Sequence, residues 1–254
     1  MDHITIAVPV FTMRERSGDN DIMKTNIGFR VYEDFERPAP ELIEKFRGIP
    51  SSNIGDMLNR LSCMRPEIVP FNDKPLLGPA FTVKVPAGDN LMIHRALDLA
   101  KPGDILVIDG EGYGHRSLMG EMMLDYAVKR GIAGFVIDGM VRDGNALRNA
   151  PIPFYAIGLT PQGPYKNGPG EINVPIACGG QVVFPGDILV GDEDGIVVIR
   201  PSWAEELADE AKAKHAKELK ELENRSNAAD NEDMIARHQA KWTELARSKG
   251  EQMM

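Results

Sequence analysis

Cysteine, aromatic residues and long apolar runs are all scarce in this chain. Only two cysteines, Cys63 and Cys178, occur in 254 residues. No CxxC pair is formed, which excludes a disulfide framework and fits two buried thiols in a reducing compartment. No apolar run approaches the roughly 20 residues that span a bilayer, so no membrane association is expected. The start, Met1-Asp2-His3, lacks the basic region and apolar core of a secretory signal. The expectation is a soluble, cytoplasmic protein. Positive charge is short as well: 29 Lys and Arg stand against 38 Asp and Glu, for a net charge of -9. Such a balance opposes a broad phosphate-binding face, so nucleic acid is not an expected partner. A small anionic metabolite remains compatible where a local Arg, a metal ion or backbone amides supply positive potential.

What is present is enough for a sizeable core: 43% of residues are hydrophobic and 26% charged, close to the globular average. Residues 1–38 show weak periodicity and mixed charge and read as an N-terminal arm. Helices are expected from Pro40 to about Gly48, through Leu42, Ile43 and Phe46, and again after a Ser51-Ser52-Asn53 cap, through Ile54, Met57, Leu58 and Leu61. From residue 75 to 200, short apolar runs are separated by Gly, Pro and Asp. Phe81 to Val85 alternates like a strand, while 105–108 and 134–137 are continuous apolar runs typical of strands buried on both faces. Helical patterns near 90–100 and 118–130 lie between them, so the class is α/β, and 172–199 reads as all-β. The run Pro102-Gly-Asp-Ile-Leu-Val echoes Pro185-Gly-Asp-Ile-Leu-Val, the same tight turn feeding a buried strand twice. After Pro201 the chain becomes a helical tail from Trp203 to Glu223. A polar break at 224–231 and a second helix through Ile235, Trp242 and Leu245 complete it. The division expected is an arm over 1–38, a catalytic domain over 39–200 and a tail over 201–254. The tail would dock on the body or on another subunit.

Functional residue types concentrate between 109 and 145. A glycine-rich turn, Asp109-Gly-Glu-Gly-Tyr-Gly114, is expected to lead from a strand into a helix opening at 117–121. Amides at such a helix start bind anions without basic side chains. The spacing is neither a dinucleotide fingerprint nor a P-loop, so a small carboxylate or single phosphate fits better. Arg142-Asp143 follows a buried strand and an Asp138-Gly139 turn, where ligands of open α/β sheets collect. Arg142 offers a fixed fork for a carboxylate or enolate oxygen, and Asp143 a hard oxygen ligand for Mg²⁺ or Mn²⁺. The plain alternative is a solvated ion pair capping the next helix. Met122 and Met123 read as core residues more than specificity residues. His94 reads as an ordinary helix residue, and His115, in the glycine segment, as a possible substrate contact.

Gly120-Glu121-Met122-Met123, followed by Gly131-Ile-Ala-Gly-Phe-Val-Ile-Asp-Gly-Met-Val-Arg-Asp143, resembles the signature of the family of 4-hydroxy-4-methyl-2-oxoglutarate aldolases. That family also holds proteins similar to the regulator of ribonuclease activity A. The resemblance covers about residues 50–200, with Glu121 in place of the more usual Asp. It implies a layered β/β/α sandwich, of the swivelling-domain kind, assembling as a homotrimer or hexamer. It also implies retro-aldol cleavage of a 2-oxo acid to pyruvate with a divalent metal, Mg²⁺ or Mn²⁺, and oxaloacetate decarboxylation by the same chemistry. In that reading the amides of Gly120 to Met123 hold the substrate carboxylate, Arg142 contacts the 2-oxo oxygen and Asp143 holds the metal. Glu121 orients a water on the metal, and Asp56 borders the site. A tail glutamate (Glu218, Glu221 or Glu223) would reach a neighbouring subunit. Acidic residues common soon after the Arg-Asp pair are replaced here by Asn145 and Ala146, which bears on substrate specificity. The rival reading is a non-enzymatic protein that docks on a ribonuclease or another partner. No lysine lies within the signature, so a Schiff-base mechanism is not expected.

Overall fold

The computed structural model describes residues 26–226 and 231–251. Most of the arm expected over 1–38 therefore lies outside the described residues. Ten strands and seven helices are described. The first helices are α1 (Pro40–Glu44) and α2 (Ser51–Met57), followed by β1 (Val69–Pro70), β2 (Leu76–Lys84), α3 (Leu91–Leu99) and β3 (Ile105–Ser117). Next come α4 (Glu121–Lys129), β4 (Gly134–Val141), α5 (Gly144–Arg148) and β5 (Phe154–Leu159). The short strands are β6 (Glu171–Ile172), β7 (Ile176–Cys178), β8 (Gln181–Val183), β9 (Ile188–Asp192) and β10 (Gly195–Ile199). The tail is α6 (Pro201–Ser226) and α7 (Asn231–Ser248).

Strands β2, β3, β4 and β5 pair in parallel, with β1 antiparallel at the β5 edge. Strand β2 bridges two sheets: residues 80–84 pair with β3, and residues 76–79 pair antiparallel with β9. The hairpin β7–β8 forms its own small sheet. Because strand side chains alternate faces, one sheet separates two cores. Phe81, Leu106, Phe135 and Ile137 join α3, α4 and α5 on one face. Ala80, Ile105, Val107 and Val136 meet β7, β8, β9 and β10 on the other. The outer face of β9–β10 is covered in turn by α1, α2 and the first half of α6. This is the expected α/β layering with one more helical layer outside it. The alternation expected over 81–85 is one of core side, not of exposure, since residues 80–83 are all fully buried.

The repeated Pro-Gly-Asp turns carry the same hardware. Gly103 and Gly186 adopt positive φ, 93° and 88°. Asp104 and Asp187 are buried, and each accepts the amide three residues before it, Lys101 N and Phe184 N. Each is neutralised by an arginine, Arg37 and Arg200, whose guanidinium lies 4.0 or 4.1 Å over Phe35 or Phe184.

Several local expectations change. Pro50, not the serines, precedes α2, and no side chain caps it. Ser51 instead bonds to Asp192 through its amide (2.7 Å) and hydroxyl (2.6 Å), tying α2 to β9, and Leu61 is exposed beyond the helix end. Cys178 is buried, but Cys63 is exposed. Helix α6 runs through the start of the expected break, to Ser226.

Candidate functional site

The glycine-rich segment is not a turn. It continues β3 as an irregular excursion in which Asp109, Tyr113 and Ser117 face Asp138, Gly139 and Met140 of β4. Four residues of β3 thus pass for each one of β4, a bulged geometry that swells the carboxyl end of the sheet. Glu111 and Gly112 take positive φ, 61° and 62°. The helix starts later than expected, at Glu121, with extended Gly120 before it.

Arg142 and Asp143 leave β4 at this carboxyl end. Arg142 N donates to Met119 O at 3.1 Å, fixing the start of α4 beside them. Asp143 sits in the left-handed region, φ 60° and ψ 45°, a conformation that costs a non-glycine residue on the order of 1 kcal/mol. Its side chain does not cap α5. Its Oδ2 instead accepts the Glu121 amide at 3.0 Å, with Arg142 Nε 3.6 Å away. Of the plain alternative, the half-exposed ion pair is present and Asp143 stands at the N-cap position of α5, but the side-chain capping bond is not made. Gly120 makes this approach possible, because a Cβ there would lie 2.3 Å from Asp143 Oδ2 and 2.9 Å from Arg142 Cγ.

The four amides expected to bind a carboxylate are not equivalent. Met123 N turns to Gly120 O at 3.1 Å, and Glu121 N meets Asp143. Among the described residues, the amides of Gly120 and Met122 make no hydrogen bond and stand at the positive end of α4. Met123 is a core residue, as read, but Met122 is 85% exposed, so its side chain is not core. Glu121, Asp143, Gly144, Asn145 and Asn149 line an open cleft of about 750 Å³ between α4 and α5. His115 is exposed, its ring 5.3 Å from that of Tyr113, and exposed His94 lies on α3.

Asp56 lies elsewhere, on α2 in the outer helical layer. It pairs with Lys214 of α6 and, at 3.0 Å, with Arg60. The Lys214 ammonium, followed by Arg60, holds its carboxyl below the usual range. Glu218 stands in the same cluster, 3.5 Å from Lys214 and accepting from Asn53 Nδ2 at 2.6 Å. Glu221 pairs with Arg225 and Glu223 is exposed. Within one chain, then, Asp56 and Glu218 are brought together, and neither is brought to Arg142.

The sequence reading missed two features. Asp109 and Asp138, opposite each other on β3 and β4, are buried on the hairpin side of the sheet. Asp138 Oδ2 accepts Gly179 N at 2.8 Å, and burial pushes the Asp109 carboxyl up. The second is the fastening of residues 160–165 to the β3 excursion through Arg116, which no periodicity could reveal.

Whether a divalent cation suits this site is a question of donors. Among the described residues no group of three or more His, Cys, Asp or Glu converges, which excludes a closed zinc-type cage there. Asp143 and Glu121 offer hard carboxylate oxygens on one open cleft. One or two carboxylates, with water and substrate completing the shell, is the donor set that Mg²⁺ and Mn²⁺ accept. The residues fit such an ion.

Residues 51–198 match the RraA-like family, described as Aldolase/RraA. A Halalkalibacterium halodurans protein provisionally named 4-hydroxy-4-methyl-2-oxoglutarate aldolase is 42% identical over 177 residues, 69% of this chain and 84% of that one. Streptomyces coelicolor RraAS2, described as an unusual member of the RNase ES inhibitor RraA family, is 28% identical. It covers 75% of this chain and 99% of its own, with a TM-score of 0.67. The RNA-processing inhibitor RraA from Thermus thermophilis is 30% identical over 59% of this chain and 91% of its own, with a TM-score of 0.55. Matched over more than half its length, and sharing the fold of these structures, the chain belongs to the RraA-like family.

Proposed function

We propose that this protein is a carbon–carbon lyase acting on 2-oxo acids with a divalent metal, Mg²⁺ or Mn²⁺. It would release pyruvate from 4-hydroxy-4-methyl-2-oxoglutarate-like substrates and from oxaloacetate. The observation that carries the reading is Arg142-Asp143 set against the N-terminus of α4, with Asp143 held in left-handed backbone by the bond to Glu121 N. The provisional name of the 42% identical relative supports the same class.

The chemistry asks for few groups. Cleavage beside a ketone leaves an electron pair that must be stored on the 2-oxo oxygen. Asp143 would hold the metal, which would supply Lewis-acid stabilisation of that charge. The Gly120 and Met122 amides bind the substrate carboxylate at the positive helix end. Arg142 donates to the 2-oxo oxygen and stays charged throughout. Such a preorganised donor is worth about 10²–10³-fold in rate. The exposed Glu121 carboxylate takes the proton from the hydroxyl of the departing fragment, directly or through water, and pyruvate leaves after a proton returns to its methylene carbon. Oxaloacetate loses carbon dioxide through the same charge distribution and needs no hydroxyl proton removed.

We expect a homotrimer or hexamer, in which Asp56 and Glu218 of one subunit border the cleft of another. The similarity to RNA-processing inhibitors favours a second reading, a regulator that binds a ribonuclease. Such a regulator does not need a metal-binding carboxylate, so the Arg142-Asp143 pair beside the start of α4 favours the enzyme. Arg142→Ala and Asp143→Ala are expected to lower pyruvate release by about 10²-fold or more while circular dichroism and melting stay near wild type. Near-normal turnover in the Asp143 variant would remove the metal assignment.

A further inference from the structure

Beyond the Arg142 guanidinium stand the β3 excursion and residues 160–165, with Gly163 nearest it. Thr160 N donates to Val141 O at 2.9 Å, and Ser117 donates to Gln162 O through its amide (2.8 Å) and hydroxyl (3.1 Å). Arg116 completes this fastening. Its Nη1 donates to Gly163 O at 2.9 Å and its Nη2 to Tyr165 Oη at 2.9 Å, with the guanidinium 4.0 Å over the Tyr165 ring. With the Gln162 amide turned to satisfy its neighbours, its oxygen also accepts from Arg116 Nη2 at 3.1 Å.

Gly163 faces Arg142 as well, since a Cβ at that glycine would lie 3.5 Å from Arg142 Nη1. The two guanidinium groups therefore flank a single residue, whose backbone spans at most about 3.6 Å. Among the described residues the partners of Arg116 are a carbonyl, a phenol and an amide, and no carboxylate pairs with it. An arginine has five N–H donors. The bonds to Gly163, Tyr165 and Gln162 leave the Nε–H and one Nη1–H of Arg116 without a protein acceptor among those residues. Clamping a loop accounts for the bonds Arg116 makes; its two remaining donors and its charge, partly open to solvent, stand one residue from Arg142 and are free to meet an anion there.

We propose that Arg116 is a specificity-determining residue. It binds a second carboxylate, on the part of the substrate beyond the pyruvoyl unit, while Arg142 holds the 2-oxo end. The proposal rests on the lyase reading for the placement of the 2-oxo group at Arg142. Charge-assisted bonds of this kind select a dicarboxylic over a monocarboxylic 2-oxo acid.

The test compares wild type, Arg116→Ala and Arg116→Lys, each supplied with Mg²⁺. Oxaloacetate serves as substrate, and pyruvate and 2-oxoglutarate serve as non-cleaved ligands titrated calorimetrically. In Arg116→Ala the KM for oxaloacetate and the Kd for 2-oxoglutarate should each rise about tenfold or more, and Kd for pyruvate by less than about threefold. Arg116→Lys, which keeps the charge, should recover part of the loss. Unchanged 2-oxoglutarate binding overturns the proposal. Equal weakening of pyruvate and 2-oxoglutarate overturns it too, leaving Arg116 as a loop clamp. Failure of the lyase reading shows separately, as wild-type protein that releases no pyruvate. If that protein still loses its 2-oxoglutarate preference in Arg116→Ala, the anion site stands without the reaction.

Discussion

Asp143 is held in place by what its neighbour lacks. Gly120 has no Cβ, and the Asp143 carboxylate and the Arg142 chain fill the space one would need. Gly120→Ala should therefore displace one of the two, lowering turnover on the order of 10²-fold, as misplacement by about 1 Å does. Melting should move far less, because the displaced groups are partly exposed. A second residue-scale prediction concerns Glu171, which accepts from Arg30 Nε and Nη2 at 2.6 and 2.8 Å and from Gly28 N at 2.8 Å. The Arg30 guanidinium, ahead of the Gly28 amide, holds its carboxyl below the usual glutamate range. A depressed folded-state value means stability that is present above the unfolded pKa and is lost as pH falls through the folded one. Glu171→Gln should then cost about 1–2 kcal/mol at neutral pH, discounted for the half-exposed Arg30, and the gap from wild type should narrow as pH falls below the unfolded glutamate value of about 4.3. Melting curves of both proteins between pH 3 and pH 7 check this; a constant gap contradicts it. At this scale the Arg142-Asp143 pair was legible because it ends an apolar run, although the Asp138-Gly139 turn expected before it is strand, inside β4. The inward turn of Met123 N and the role of Arg116 were not, since both depend on how separate segments meet.

At the scale of elements, the buried strands were readable because runs such as 105–108 and 134–137 have no polar side chain to place in water. The excursion of β3 was misread because glycine and acidic residues mark a turn and a bulged strand alike. The serine cap of α2 is missing because Ser51 is the first helical residue, after Pro50, and its hydroxyl donates to Asp192 on β9. The tail shows how a weakly amphipathic helix is used. Ala204, Leu207, Ala208 and Ala211 of α6 are buried against Ile43, Ile54 and Val197, while Leu219 and Leu222 further along are exposed. Small side chains let this first half lie close on α2. Ala208→Asp, which would bury a carboxylate in that contact, should cost about 3 kcal/mol or more and is measured by urea unfolding. Leu219→Asp, on the exposed stretch, should leave the stability of the folded chain within about 0.5 kcal/mol.

For the whole molecule, a strand that belongs to two sheets divides the chain into stacked layers and leaves the carboxyl ends of β3, β4 and β5 open on one side. Cooperating groups come from α4, β4 and the β3 excursion, so the site exists only when the layers are assembled. The α/β class followed from the alternation of patterns along 75–200. The outer helical layer followed only in part: its helices and a tail docked on the body or on another subunit were expected, but not that the first half of α6 would lie on α2 and β10. The net charge of -9 is unfavourable to large polyanions, while local positive potential comes from a helix end and from Arg142 and Arg116. The central claim is a metal-assisted cleavage beside a 2-oxo acid. Pyruvate release from oxaloacetate and from 4-hydroxy-4-methyl-2-oxoglutarate, with Mg²⁺ or Mn²⁺ and again with excess chelator, tests it most directly. Release that chelator abolishes and added metal restores is the predicted result; no release from folded, metal-supplied protein, or release indifferent to chelator, contradicts it.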